Sequence, residues 1–211
     1  MGIQERKERE KERRRNEIID AAEKIIFANG IDKATVENIA AEAELSKATV
    51  YLYFSSKEEI YFAISMRGQQ ILFKMIENAV SKVKNTREKV LTFLKTFVEF
   101  KKKFSNYFNA FFYFLSNEVE FEKEKLYVEE NRKRHEKYLN SWKELIQKGK
   151  KEGVIREDLN EINVVLLLWM QLIGFLRIYS VMKPRLKESF DIEEESLLND
   201  YFDLVLQGMV K

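Results

Sequence analysis

Apolar residues recur at helical spacing along most of the chain, and no stretch sustains the period-two alternation of a strand between turn signals. The pattern predicts an all-α protein. Two short amphipathic segments stand close together near the N-terminus. The first opens at Thr35 and turns Val36, Ile39 and Ala40 inward, with Ala43 near its end. The second opens at Ser46 and turns Val50 and Phe54 inward, four residues apart and so on one helical face. A third start follows at Ser56-Lys57-Glu58-Glu59, where Glu59 completes a capping box. Beyond it the pattern predicts helices over about 57–84, 87–104 and 107–115, and a long charged helix over about 118–150. An apolar helix over about 161–181 has Pro184 as its exit, and a last helix covers about 192–209.

Two short helices joined by a tight break, the second with a polar outer side, form a helix-turn-helix pattern and predict duplex DNA as the partner. Lys47, Thr49, Tyr51 and Tyr53 lie opposite the inward side of the second helix. Their hydroxyl and ammonium groups suit phosphate oxygens, while the methyls of Ala48 and Thr49 suit a thymine methyl. The expected DNA contacts are Thr35, Ser46, Lys47, Ala48, Thr49, Tyr51, Tyr53 and Lys57. Among them Lys47, Ala48 and Thr49 are placed to read bases, and Thr35 and Lys57 to anchor phosphates. Leu45 lies in the turn, and Leu52 makes an apolar base contact or none.

Residues 16–54 with the following SSKEEIYFAI closely resemble the N-terminal domain of the TetR family of transcriptional regulators. The resemblance rests on Ala21, Ala22 and Phe27, the Asn29-Gly30 stop, Thr35 with Ile39-Ala40, Ser46-Lys47, Tyr51-x-Tyr53-Phe54 and Lys57-Glu58-Glu59. It covers about the first third of the chain. Glu44 departs from the pattern, standing where many members of that family have glycine. The turn must therefore accept a strained backbone or change shape. The segment KKEGVIREDLNEINVVLLLWMQLIGFLRIYS is similar, less specifically, to the C-terminal part of such regulators. The resemblance implies a DNA-binding head over residues 1–57 and an effector-binding, dimerising body over residues 58–211. It also implies a two-fold dimer, built here from the last two helices, whose apolar surface exceeds one core face: Leu166, Trp169, Met170, Ile173 and Leu176, then Leu197, Leu198, Tyr201, Leu204, Val205 and Met209.

Composition narrows the picture further. One proline, seven glycines and 34% charged residues in 211 suit long helices joined by short turns. The net charge of +2 gives no bulk basicity, and residues 1–57 hold eleven basic and eleven acidic side chains. DNA contact must therefore rest on local sign, as between Leu45 and Lys57, where there are two lysines and no acid. The charged segment QERKEREKERRR over residues 4–15 reads either as a helical extension or as a basic arm reaching the minor groove through Arg13, Arg14 and Arg15. Absence of cysteine excludes a disulfide framework and suits a reducing cytoplasm. No secretory signal pattern is visible, and the longest apolar run, interrupted by Gln171 and stopped by Arg177, falls short of the roughly 20 residues that span a bilayer.

No catalytic site is expected. The lone His135 sits in a strongly charged helix, and Glu118, Glu120, Glu122 and Glu124 read as solvated carboxylates, so neither a metal site nor a cofactor is called for. Aromatic residues are concentrated in the body, with six in the nine positions from Tyr107 to Leu115. Such side chains fill cores, but with the resemblance they also imply a pocket for a small hydrophobic effector. The candidate lining is Phe97, Phe104, Tyr107, Phe111, Trp142 and Trp169. The expected function is a DNA-binding transcriptional regulator, a repressor released from a palindromic operator by that effector. The competing expectation is a protein of the same fold whose body docks a protein partner.

Overall fold

The computed structural model describes residues 2–116 and 126–210. Among these residues there are nine helices: α1 (Ile3–Asn29), α2 (Val36–Glu42), α3 (Lys47–Tyr51), α4 (Lys57–Val80), α5 (Thr86–Lys103), α6 (Ser105–Ser116), α7 (Leu126–Lys151), α8 (Glu161–Phe190) and α9 (Glu194–Met209). The only strand-like pairing among the described residues is an isolated bridge between Ile155 and Val210, so the expected all-α class holds. The carboxylates Glu118, Glu120, Glu122 and Glu124, and the start of the helix expected over 118–150, lie outside the described residues.

The chain divides into two compact units. One comprises residues 1–73 and 101–122, the other 74–100 and 123–211. In the first unit, Ile18, Ala22 and Ile26 of α1 pack with Ile39 of α2, Val50 of α3, Phe54, and Ile60 and Ile64 of α4 in one buried cluster. Ala110 of α6 joins the same cluster. Burying the Ile, Val and Phe side chains among them contributes about 1.5–3 kcal/mol each, which holds segments as short as α2 and α3 in helical form.

The second unit has its own core. Phe93 of α5 lies 4.7 Å from Trp142 of α7 and 6.2 Å from Phe97, ring centre to ring centre. Ile146 of α7, Leu172 and Leu176 of α8 and Phe202 of α9 are also buried. Gly149 lies in the last turn of α7. A Cβ there would meet Thr86 Cγ2 and Ile155 Cδ1 at 2.7 Å each, so only glycine allows this approach. Gly153, with φ of 70°, ends the helix in the left-handed region.

Helix α8 corrects two expectations. It does not leave at Pro184 but runs through it to Phe190, stopping at Asp191 with φ of 52°. A proline inside a helix forfeits one backbone bond, to the carbonyl four residues earlier. Here that residue is Ser180, which is exposed, so water can take the bond's place. The helix is also longer than the apolar run alone indicated. By length and composition it could cross a membrane, although 33% of its apolar window is buried within the chain. A helix shared between a core and a subunit interface meets the same criterion.

Candidate nucleic-acid interface

The helix-turn-helix is set by three hydroxyl caps. Thr35 Oγ1 accepts the Asn38 N–H at 3.1 Å, and Ser46 Oγ accepts the Thr49 N–H at 3.0 Å. Ser56 Oγ accepts the Glu59 N–H at 3.1 Å. The return arm of the expected capping box is displaced by one residue, because Glu59 Oε2 takes its proton from the Ser55 N–H at 2.6 Å. These caps start α2, α3 and α4 where the serine and threonine positions predict.

The turn between α2 and α3 keeps its usual form despite Glu44. The Leu45 N–H reaches Ala40 O at 2.9 Å and the Glu44 N–H reaches Ala41 O at 3.1 Å, the paired bonds of a Schellman motif. Glu44 occupies the left-handed position at φ of 55°. Of the two outcomes open in the sequence, the chain takes the strained backbone, at about 1–2 kcal/mol. Leu45 then packs half-buried against the head's core and plugs the angle between the helices.

The outward side of α3 is polar and open. Ser46, Lys47, Ala48 and Tyr51 are exposed, Thr49 and Tyr53 are half-buried, and Val50 and Phe54 face the core. Thr49 Oγ1 lies 2.8 Å from Ser46 Oγ, and Tyr53 packs against the core cluster. Leu52 is 80% exposed at the end of the helix. Lys57 Nζ donates to Ile31 O at 2.8 Å, so in the free protein its ammonium braces the loop after α1.

Residues 4–15 continue α1 as a helix. Arg13 pairs with Glu10 and Glu17, and Arg14 pairs with the same two carboxylates. The Arg15 guanidinium lies 5.1 Å from the centre of the Phe54 ring, next to the end of α3. Among the described residues no group of three or more His, Cys, Asp or Glu side chains could hold a metal ion.

Two constellations escaped the sequence reading. Glu37 in the first turn of α2 forms an ion pair with Lys47, whose Nζ also lies 5.8 Å from the centre of the Tyr51 ring. The hydrogen bond from Lys47 holds the Glu37 carboxyl below its ordinary pKa and raises that of Lys47 in return. Ten residues separate the two, so no local spacing rule pairs them. The second lies in the first unit, where Arg67 of α4 bonds Asp20 Oδ1 at 2.7 Å, Glu23 Oε2 at 3.0 Å and Asn16 Oδ1 at 3.2 Å. Tyr107, a candidate effector contact, donates to Glu23 Oε1 at 2.8 Å. Its sequence separation of 84 residues hid that bond.

The other aromatic candidates distribute between the units. Phe104, 6.3 Å from Tyr107 by ring centres, and Phe111 belong to the first. Phe97, Trp142 and Trp169 belong to the second, where Phe97 and Trp142 both contact Phe93.

A helix-turn-helix capped at Thr35 and Ser46, within a larger all-α chain, defines the class. Residues 18–64 match the model of the family described as bacterial regulatory proteins, tetR family. The match is confined to this N-terminal segment, which is similar to the DNA-binding segment of that family. The chain is similar to the fatty acid metabolism regulator protein of Bacillus subtilis (strain 168), 31% identical over 74 residues. It is also similar to the HTH-type nicotine-responsive transcriptional repressor HdnoR of Paenarthrobacter nicotinovorans, 34% identical over 74 residues. Each match covers 35% of this chain and 38% of the relative. Over nearly the whole chain the fold is that of the ketosteroid transcriptional regulator KstR2 of Mycobacterium tuberculosis, with a TM-score of 0.65 at 20% identity over 94% of this chain and 95% of that one. The fatty acid degradation regulator FadR of Bacillus halodurans gives 0.64 at 22% identity over 91% and 94%.

Proposed function

We propose that the protein is a homodimeric DNA-binding transcriptional regulator, a repressor released from a palindromic operator by a small apolar effector. The observation that carries the reading is the open polar side of α3, started by the Ser46 cap and backed by buried Val50 and Phe54. A recognition helix lies in the major groove with its first residues against base edges. Lys47, Ala48 and Thr49 therefore read bases, while Thr35, Ser46, Tyr51, Tyr53 and Lys57 set register on phosphates. Residues 1–57 act as the DNA-binding head and residues 58–211 as the effector-binding and dimerising body.

Exposed apolar residues support the dimer. Ile162, Leu166, Leu167, Met170, Ile178 and Val181 form a stripe on α8, opposite the buried Leu168, Leu172 and Leu176, and Leu204 is 71% exposed on α9. A second copy covers such a stripe by two-fold pairing of α8 and α9. Support for an apolar effector comes from the aromatic body and from the names of the similar proteins, which concern fatty acids, nicotine and ketosteroids. Helix α4 starts beside α3 and continues into the second unit at Lys74, so a shift of that helix on effector binding moves the head. The effector acts by binding the released state more tightly, and couplings of about 1–3 kcal/mol are typical.

The test uses Ala48→Asp. Ala48 is exposed in the first turn of α3, where an acid suits the helix and leaves the core untouched. A carboxylate there meets phosphates in the groove. The variant is expected to lose sequence-specific binding to the duplex that the wild-type protein enriches from a random pool while keeping its thermal stability. Unchanged binding would show that α3 is not the reading helix.

A further inference from the structure

We infer that Glu37 is a specificity-determining residue of the reading face: it holds the Lys47 ammonium on the protein, so duplexes that offer its carboxylate no hydrogen-bond donor are bound weakly. The inference rests on the proposed reading of DNA by α3. Glu37 lies two residues after the Thr35 cap, and Lys47 directly follows the Ser46 cap, so the pair bridges the starts of both helices. Both side chains are open to solvent, Glu37 at 59% and Lys47 at 49%. An exposed ion pair of this kind adds little to fold stability. Its larger effect is on the charge that an approaching duplex meets.

Non-specific affinity comes from lysine and arginine neutralising phosphates and releasing their counterions. Lys47 is the only basic residue of α3, and its charge is already opposed by Glu37. A phosphate that draws Lys47 away leaves the Glu37 carboxylate beside a second anion. That repulsion is relieved only where the groove supplies a donor, and the major-groove donors are the exocyclic amino groups of cytosine and adenine. Cognate sites with an amino group in reach recover the cost, whereas other sequences do not. The Tyr51 ring, 5.8 Å from the ammonium, helps keep Lys47 in place.

The test compares the full-length wild-type protein with Glu37→Gln, Lys47→Met and the double variant. Two fluorescent duplexes serve as probes: the sequence enriched by the wild-type protein from a random pool, and its scrambled version. Glu37→Gln should tighten binding of the scrambled duplex by about tenfold and steepen its salt dependence by roughly one phosphate contact. Binding of the enriched duplex should tighten less, so the ratio between the two falls. In the double variant the gain should vanish. Unchanged scrambled-duplex affinity and salt slope in Glu37→Gln, or a gain that persists without Lys47, would overturn the inference alone. A wild-type protein that enriches no sequence would overturn the DNA-reading proposal and this inference with it.

Discussion

Tyr107 donates its hydroxyl proton to Glu23 across 2.8 Å, joining α6 to α1 inside the first unit. Arg67 approaches the same carboxylate from α4, with Glu23 Oε2 at 3.0 Å. Three helices distant in sequence therefore meet on one side chain. Burial pushes the Glu23 carboxyl above its ordinary pKa, and the bonds from Tyr107 and Arg67 oppose that shift. The cluster stabilises a charge that its surroundings would otherwise neutralise.

Removing the phenol should expose this balance. Tyr107→Phe is expected to destabilise the protein by about 1–3 kcal/mol, as for a lost hydrogen bond to a charged group. The loss should be smaller at about pH 4, where Glu23 is largely protonated and needs the bond less. Urea unfolding of wild type and variant at acidic and neutral pH measures both effects. An equal loss at the two pH values would separate the bond from the charge.

Alkaline pH should unfold the protein through its buried phenols. Burial pushes Tyr61, Tyr107 and Tyr201 up from 10.0 to about 12. Between those values the unfolded chain loses protons that the folded chain keeps, so folding stability falls as pH rises. Urea midpoints should drop steadily over this window, with phenolate absorbance appearing together with unfolding. Full phenolate formation in a protein that stays folded would refute the assignment.

Glu44 carries a backbone cost that glycine would remove. Its φ of 55° lies in the left-handed region. Glu44→Gly relieves strain of about 1–2 kcal/mol but increases the freedom of the unfolded chain, for a net gain of up to about 1 kcal/mol. Thermal unfolding should register a higher midpoint. A lower one would mean that the Glu44 side chain contributes more than its backbone costs.

Gly68 of α4 lies directly against Tyr107 of α6. A Cβ at this position would lie 2.6 Å from Tyr107 Cβ, and neither atom is the end of a flexible side chain. Gly68→Ala should destabilise by about 1–3 kcal/mol, despite the helix propensity of alanine, about 1 kcal/mol better than that of glycine. Denaturant unfolding checks it, and a stabilised variant would show that the two helices can separate at little cost.

The apolar stripe of α8 predicts an assembly. Leu167→Lys and Met170→Lys alter residues that are each 50% exposed in the single chain, so helix content should persist. Sedimentation should give a dimer for the wild type and a monomer for the double variant. A wild-type monomer, or a dimer unaffected by both lysines, would place the subunit interface elsewhere or remove it.

Much of the head was legible in sequence because its determinants are local. Thr35, Ser46 and Ser56 each cap within three residues, and Val50 and Phe54 share a face by spacing alone. Glu44 marked the turn as strained or altered in shape, and its φ of 55° decides for strain. The helical course of α8 past Pro184 was hidden, since the carbonyl that proline leaves unpaired matters only if it is buried, and burial is not a local property. The Glu37–Lys47 and Glu23–Arg67–Tyr107 groups were hidden for the same reason, their members being brought together by tertiary packing. Tyr107 shows the consequence most clearly. Its place in an aromatic run suggested an apolar wall, while its hydroxyl has a carboxylate partner from α1.

The helix starts around the reading element rely on alcohol groups at Thr35, Ser46 and Ser56. Alcohols carry no charge to lose, whereas the aspartates that often serve in their place are neutralised in strong acid. The start of the short helix is thereby insulated from acid. Acid reaches the same unit by another route, through the Glu23 carboxylate where three helices meet.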